Sequence, residues 1–215
     1  MKHESRLILA LDVVDLGKAM DIVAKVEKYV DAVKVNYPFA LACGMGAVKE
    51  LASRVDVICD FKVADIPNTN RLIVEQVRKS GARGVICHAF PGMDSLEACV
   101  KAAGDMDVFV MTEMSHPGAD MFMIPIAEKM ARLALEVGAS GIIAPATRPE
   151  KVRALRKIIG DLKILAPGVG AQGGSASDTI RAGADYVIVG RAIYEAADPS
   201  ATALKIFNEI REAER

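Results

Sequence analysis

The chain has 215 residues, of which 52% are hydrophobic, and its 27 Lys and Arg residues balance 28 Asp and Glu residues to a net charge of −1. A balanced charge offers no basic field for nucleic acid or an anionic membrane surface, so neither partner is expected. The N-terminal apolar run Leu7–Leu11 stops at Asp12, and it is too short for a signal peptide or a membrane span.

Short apolar runs rich in β-branched residues then alternate about eight times with longer segments of helical period. Many of the helical segments stop at a glycine that precedes the next run, as at Gly160 and Gly183. In chain order, the predicted strands are Arg6–Val13, Asp31–Asn36, Val55–Val63, Gly84–Phe90, Asp107–Met114, Gly141–Ala146, Lys163–Val169 and Tyr186–Ile193.

Strands that are apolar on both faces predict a parallel sheet covered by helices. Eight βα units in a chain of this length favour a closed α/β (β/α)₈ TIM barrel over an open doubly wound sheet. No low-complexity stretch or Pro/Ser linker divides the chain, so one domain over residues 1–215 is expected. The last predicted barrel helix is Ser200–Glu214, with Ala203, Ile206, Phe207 and Ile210 facing inward.

The cysteines and the hydropathy indicate the compartment and the assembly. The four cysteines form no CxxC pair and lie among apolar neighbours, which is typical of reduced core thiols in a cytoplasmic protein rather than of disulfides or a zinc site. A mean hydropathy of +0.25 predicts apolar surface that is covered in a homo-oligomer. The cysteines are Cys43, Cys59, Cys87 and Cys99.

Charged side chains occupy the C-terminal ends of the first three predicted strands, where barrel enzymes place their chemistry. Residues two apart on a strand share a face, so Asp60 and Lys62 should point the same way, with Lys34 on the neighbouring strand. Unpaired charges are costly to bury, which favours a functional site over solvated strand ends or a structural ion-pair set. The cluster comprises the charged residues Asp12, Lys34, Asp60, Lys62 and Asp65, with the polar Asn36 beside them.

Glycine-rich segments follow the seventh and eighth predicted strands. Residues 166–174 read APGVGAQGG, and the pair Gly190-Arg191 follows later. Glycine lets backbone amides approach an anion closely and arginine adds positive potential, so these segments predict a phosphate site. Tight turns would explain the glycines but not the arginine.

The loop after the fifth predicted strand gives a weaker signal. Its Ser115 could hydrogen-bond the edge of a ring, although Ser-x-Pro-Gly is also ordinary turn composition. His88 and His116 could act as bases, but no cysteine or carboxylate pattern accompanies them, and they are interpreted as structural.

Residues 60–69, DFKVADIPNT, resemble the DxKxxDIxxT signature of the orotidine 5′-phosphate decarboxylase family. The resemblance covers essentially the whole chain. It implies decarboxylation of orotidine 5′-monophosphate (OMP) to uridine 5′-monophosphate (UMP) in pyrimidine synthesis, with no metal and no cofactor. The other matching positions, in family order, are Asp12, Lys34, Ser115, Pro167, Gln172, Gly190 and Arg191.

The resemblance also implies the catalytic roles. Lys34, Asp60, Lys62 and Asp65 would form an alternating charge network. Within it, Lys62 would deliver a proton to C6 of the pyrimidine and Asp60 would lie beside the departing carboxylate. In a homodimer, the residues that reach into the site of the other subunit would be Asp65, Ile66 and Thr69.

The substrate-binding roles follow in the same way. Asp12 and Lys34 would hold the ribose hydroxyls, and Ser115 the pyrimidine edge. Gln172 would bridge the base and the phosphate. The remaining matching residues would be Pro167 in the glycine loop and the phosphate-gripping pair Gly190 and Arg191.

Three alternatives remain open at this point. The barrel enzymes 3-hexulose-6-phosphate synthase and 3-keto-L-gulonate-6-phosphate decarboxylase share the DxKxxD core but hold Mg²⁺ with a glutamate on strand two, where this chain carries Lys34. A non-catalytic nucleotide-binding barrel would be expected to have a broken charge set, and this set is complete. A ribulose-phosphate epimerase would need its own metal or acid/base pair.

Overall fold

The computed structural model describes residues 4–213, and eight parallel strands close into a barrel in sequence order. The first strand pairs with both the second and the last, so the sheet has no free edge. The predicted (β/α)₈ architecture is therefore confirmed. The strands are β1 (Leu7–Ala10), β2 (Ala32–Asn36), β3 (Val57–Val63), β4 (Gly84–His88), β5 (Asp107–Met111), β6 (Gly141–Ile143), β7 (Lys163–Pro167) and β8 (Tyr186–Val189).

Helices cover the outside of the barrel and connect each strand to the next. None of those within residues 4–213 combines the length and the apolar character needed to cross a membrane. The helices are α1 (Leu16–Val26), α2 (Tyr37–Ala52), α3 (Pro67–Lys79), α4 (Met93–Ala103), α5 (Ala119–Glu136), α6 (Pro149–Ile159), α7 (Ala176–Arg181), α8 (Arg191–Tyr194) and α9 (Pro199–Ala213).

Several strands end earlier than predicted, because the apolar run continues into the loop that follows. The largest error is at the last strand, predicted to reach Ile193. It ends at Val189, and residues 191–194 form the short helix α8 instead. The final helix ends at Ala213, and Glu214 lies outside the described residues. Phe207 was predicted to face inward, but it is only partly buried, and its ring lies under the Arg211 guanidinium, 5.8 Å from the ring centroid.

Two cores explain why the strands are apolar on both faces. One fills the barrel interior, with side chains such as Ile58, Phe109 and Leu165. The other lies between the barrel and its helices and includes residues such as Val23 on α1 and Val35 on β2. Full burial of each aliphatic side chain contributes about 1.5–3 kcal/mol, so most of the folding free energy comes from these two layers.

Glycine ends two of the helices at the positions that the sequence indicates. Gly160 follows α6 with φ +58°, and Gly183 follows α7 with φ +104°. A side chain at either position would be strained in the left-handed region, which only glycine adopts readily.

Charged side chains at the N-terminal rim of the barrel bind the backbone. The Asp31 carboxylate accepts hydrogen bonds from the amides of residues 4–6 at 2.8–3.2 Å. The Arg156 guanidinium donates to the carbonyls of Gly160, Leu162 and Gly183 at 2.6–3.0 Å and pairs with Asp185. The Asp31 bonds connect the segment before β1 to the start of β2. The Arg156 bonds connect α6 to the segments that precede β7 and β8.

Candidate active site

A cavity of about 210 Å³ opens at the C-terminal rim, and residues of all eight strands or of the loops directly after them line it. Catalytic sites of barrel enzymes lie at this rim. Nine of the twelve predicted site residues line this cavity: Asp12, Lys34, Asp60, Lys62, Ser115, Pro167, Gln172, Gly190 and Arg191.

Three charged side chains form a continuous chain at the cavity wall. Lys34 Nζ donates to Asp60 Oδ2 at 2.8 Å, and Lys62 Nζ donates to Asp60 Oδ1 at 2.7 Å. Asp12 Oδ1 lies 4.0 Å from Lys34 Nζ and extends the alternation of charge. The structure therefore places Asp12, Lys34, Asp60 and Lys62 together at one wall of the cavity.

Lys62 occupies a strained backbone conformation. Its φ is +45°, in the left-handed region, and the pairing of β3 with β4 shifts register between Cys59 and Val63. A left-handed conformation costs a non-glycine residue about 1–2 kcal/mol, and β-bulges beside active sites re-aim side chains. Regular strand alternation predicts Asp60 and Lys62 on one face of the sheet. In the structure, the direction of the Lys62 side chain also depends on the bulge.

The charges of this cluster are mutually stabilised. Burial alone would raise the pKa of Asp60, but the Lys34 and Lys62 ammonium groups outweigh it and hold the pKa below the usual range. Asp60 therefore stays ionised at neutral pH between two cations. Lys62 is the more accessible cation, since 32% of its side chain is exposed against 9% for Lys34.

His88 lies next to this cluster and is neutral at physiological pH. Burial, helped by the positive charge of Lys62, lowers its pKa from 6.5 to about 4. Its ring packs edge-on against Phe90, with centroids 4.9 Å apart, and its buried Nδ1 has no hydrogen-bond partner among residues 4–213. A neutral imidazole adds no third cation beside Asp60.

The glycine-rich loop forms a self-bonded turn on the opposite side of the cavity. Gly170 N donates to Gly174 O at 3.0 Å, and Gly174 N donates to Gly168 O at 3.0 Å. Gly168 has φ +107°, and a side chain there would also meet Gln172 Oε1 at 3.2 Å. The loop thus needs glycine both for its conformation and for the approach of Gln172. The Arg191 side chain lines the cavity beside this loop.

The apolar wall of the cavity and a buried ion pair were not predicted from the sequence. The wall includes Ile86, Met111 and Ile143. Glu113 also lines the cavity, and one of its carboxylate oxygens lies 2.6 Å from Arg148 Nε. Burial raises the pKa of Glu113, an effect that Arg148 opposes. The alternation of side chains along the strands could have predicted that the apolar residues of the wall face the barrel interior. No sequence pattern predicts that Glu113 and Arg148 form a pair.

Three predicted site residues lie elsewhere. Asp65, Ile66 and Thr69 do not line the cavity within this chain, and Ile66 is 66% exposed. Asp65 lines a second, more open cavity of about 470 Å³, and that cavity shares Asp60 and Lys62 with the first.

The cysteines lie in or beside the hydrophobic core, as predicted. Cys59, Cys87 and Cys99 are buried, Cys43 is partly buried, and all four thiols are free. Burial and the neighbouring Asp60 raise the pKa of Cys59 to about 12, so this thiol is protonated at neutral pH. In the described part of the chain, no three His, Cys, Asp or Glu side chains are grouped so that they could hold a metal ion.

Comparison with known proteins places this geometry in a family. The model of the orotidine 5′-phosphate decarboxylase / HUMPS family matches residues 5–206. The chain belongs to this family. The family description names two groups of proteins, so it does not by itself select one activity.

Two relatives of this chain are decarboxylases by name. The orotidine 5′-phosphate decarboxylase of Methanococcoides burtonii is 57% identical over 98% of this chain and 99% of its own. The crystal structure of orotidine 5′-phosphate decarboxylase from Pyrococcus horikoshii has a TM-score of 0.90 at 45% identity, covering 95% of this chain and 99% of its own.

A third relative in the family was solved with an inhibitor. It is orotidine 5′-monophosphate decarboxylase from Methanocaldococcus jannaschii, complexed with inhibitor BMP. It superimposes on this chain with a TM-score of 0.91 at 44% identity, covering 95% of this chain and 97% of its own.

Proposed function

We propose that the protein is an orotidine 5′-phosphate decarboxylase, which converts OMP to UMP and CO₂. The carrying observation is the chain of charges Lys34–Asp60–Lys62, with contacts of 2.8 and 2.7 Å, at the wall of the cavity. The high identity to decarboxylases over the whole length of both chains supports the same activity.

The proposed reaction needs one proton donor and no electron acceptor. The bond between C6 of the pyrimidine and its carboxylate breaks, CO₂ leaves, and the electron pair remains on C6. The Lys62 ammonium then gives its proton to C6, forms UMP, and recovers a proton from water. The ammonium also stabilises the developing carbanion, and a unit pair at about 4 Å contributes about 4 kcal/mol at an effective dielectric of about 20. Neither a metal nor an organic cofactor takes part.

One lysine does not supply the whole rate enhancement, so binding of the distant phosphate must contribute. We assign the phosphate to Arg191, Gly190 and the glycine-rich loop, with Pro167 beside it and Gln172 bridging to the base. The closeness of Gln172 to Gly168 supports that bridge, since both line the same cavity. Water exclusion by this loop would strengthen each charge interaction inside.

The ribose and the base occupy the space between the loop and the charges. We assign the ribose hydroxyls to Asp12 and Lys34 and the pyrimidine edge to Ser115, all of which line the cavity. Asp60 would lie beside the departing carboxylate, since it is bonded to Lys62.

We further propose that the protein works as a homodimer, in the cytoplasm, with Asp65, Ile66 and Thr69 completing the site of the partner. The second cavity supports this assignment because it leads from Asp65 to Asp60 and Lys62. An apolar Ile66 exposed to 66% also favours coverage by another subunit. Free, buried thiols fit a reducing compartment.

A metal-dependent phosphosugar lyase of the same barrel type is the second candidate. Such an enzyme needs an anionic ligand on β2, but Lys34 stands there, with its ammonium bonded to Asp60 at 2.8 Å. A cation in this position repels a divalent ion.

The test is to mix the purified protein with OMP in EDTA and to follow the ultraviolet absorbance, with UMP identified by chromatography. We expect turnover that EDTA does not change. Absence of UMP would refute the proposal, and activity that EDTA abolishes and Mg²⁺ restores would favour the metal-dependent relatives. Sedimentation of the active protein tests the dimer.

A further inference from the structure

Asn36 makes two side-chain hydrogen bonds at the end of β2. Its Oδ1 accepts from Phe39 N at 3.3 Å and so caps helix α2. Its Nδ2 donates to Asp12 Oδ1 at 2.8 Å. The two bonds fix the orientation of the amide, because the backbone N–H can only donate and the carboxylate can only accept.

We propose that Asn36 is a positioning residue that holds the Asp12 carboxylate for the ribose of OMP; this inference rests on the proposed function. Lys34 and Asn36 lie two apart on β2 and both approach the same oxygen of Asp12, at 4.0 and 2.8 Å. Asn36 makes the close contact. The second carboxylate oxygen, Oδ2, is thereby left for a ribose hydroxyl.

Asp12 needs such a partner because its side chain is 42% exposed, and it lies beyond the end of β1. An exposed carboxylate samples several rotamers, and ligand binding must then select one of them at a cost in affinity. The amide of Asn36 removes this cost in advance, since the helix cap fixes Asn36 itself. The N-terminus of α2 thus anchors a ligand-binding residue of the loop after β1.

In the part of the chain that the structure describes, Lys34 and Tyr194 also face Asp12. The Lys34 ammonium on β2 lies 4.0 Å from Asp12 Oδ1. Tyr194 on α8 lies near enough for the charge of Asp12 to add to burial in raising the Tyr194 pKa. A carboxylate in place of the Asn36 amide would add a like charge at hydrogen-bond distance, which raises the pKa of one member of such a pair.

Substitutions at Asn36 separate positioning from capping. Asn36→Ser and Asn36→Asp both keep a side chain that caps helices well, but neither can donate to Asp12 as the amide does. Asp198→Ala is the matched control, because Asp198 accepts from Ala201 N at 3.0 Å at the start of α9 and does not line the cavity. The measurements are kcat and KM for OMP across pH, the Kd of UMP by calorimetry, and thermal unfolding.

We expect Asn36→Ser to raise the KM for OMP and the Kd of UMP about 10-fold with kcat within about two-fold, since the ribose contact acts equally in the ground and transition states. Asn36→Asp should do the same and also move the acid limb of kcat/KM to higher pH. The Asp198→Ala variant should lose stability only. Unchanged KM and Kd in both Asn36 variants would overturn the inference. Wild-type protein without turnover would overturn the proposed function instead, and the UMP affinities would still decide the role of Asn36.

Discussion

The two rims of this barrel use charge in opposite ways. At the N-terminal rim, Asp31 and Arg156 bind backbone amides and carbonyls of neighbouring segments. At the C-terminal rim, Lys34, Asp60 and Lys62 bind one another and line a cavity.

The contrast follows from what each charge must do. A charge satisfied by fixed backbone groups stabilises the fold and has nothing left for a ligand. Charged side chains that pair with one another stay ionised and can rearrange around a ligand. They add little to the stability of the fold, because their mutual attraction is largely offset by the cost of removing the charges from water. Substitutions at the first rim should therefore change stability, and those at the second should change activity.

The largest expected effect is on turnover. Lys62→Ala removes the proposed proton donor and about 4 kcal/mol of carbanion stabilisation, so kcat should fall by about 1,000-fold or more. Binding of UMP, measured by calorimetry, should persist within a few-fold. Lys163→Ala is the control at the other rim, where the lysine pairs with Asp107 at 3.7 Å, and its kcat should be unchanged. Wild-type turnover in Lys62→Ala would contradict the assignment.

The second effect is on stability. Arg156→Ala breaks the bonds to three carbonyls and the pair with Asp185, so the free energy of unfolding in urea should fall by about 3 kcal/mol. The kcat of the folded variant should match wild type. Arg181→Ala removes an exposed arginine whose partner lies 3.9 Å away, and it should cost less than about 0.5 kcal/mol. Equal losses in the two variants would show that the backbone bonds of Arg156 add no stability beyond that of an exposed ion pair.

The third effect is on substrate affinity. Arg191→Ala removes a charged hydrogen-bond donor to the phosphate, worth about 1.5–3 kcal/mol, so kcat/KM for OMP should fall by about 10- to 100-fold. The melting temperature should not change, because Arg191 is exposed. If kcat/KM were to stay at the wild-type value, the phosphate would have to bind elsewhere.

The smallest effect is a pH dependence of stability at the C-terminal rim. The pKa of His88 is lowered to about 4 in the folded protein from 6.5, so its neutral form contributes stability that is fully present above 6.5. This contribution is lost as pH falls through 6.5 towards 4, because the unfolded chain takes up the proton first. Between pH 7 and 5 the loss is about 2 kcal/mol.

His88→Gln isolates this contribution, since all other groups titrate alike in both proteins. The wild type should lose about 2 kcal/mol more than the variant when urea unfolding at pH 7 is compared with pH 5. His116→Gln, at an exposed site, is the control and should follow the wild type. Parallel losses in wild type and His88→Gln would show that His88 is not kept neutral by its surroundings.

The fold and most of the cavity residues were predictable from the sequence. Apolar runs separated by glycine-terminated helices predict a parallel barrel because each strand is buried on both faces. Strand alternation then places Asp60 with Lys62, and the known location of barrel sites selects the C-terminal rim. The end of β8 was predicted wrongly because hydrophobicity alone does not show where a strand gives way to a helix. Phe207 was predicted wrongly because an aromatic side chain on a helix can also pack against an arginine of the same helix, here Arg211.

The sequence by itself determined the barrel, the charge set and the glycine-rich loop, since each follows from short-range periodicity or from a contiguous motif. Only the tertiary structure decided the bulge that turns Lys62, the pairing of Glu113 with Arg148 and the bond between Asn36 and Asp12. These contacts join residues far apart in the chain or depend on a local departure from regular geometry. No pattern of hydrophobicity encodes them, because they arise from the register at which the strands close into the barrel.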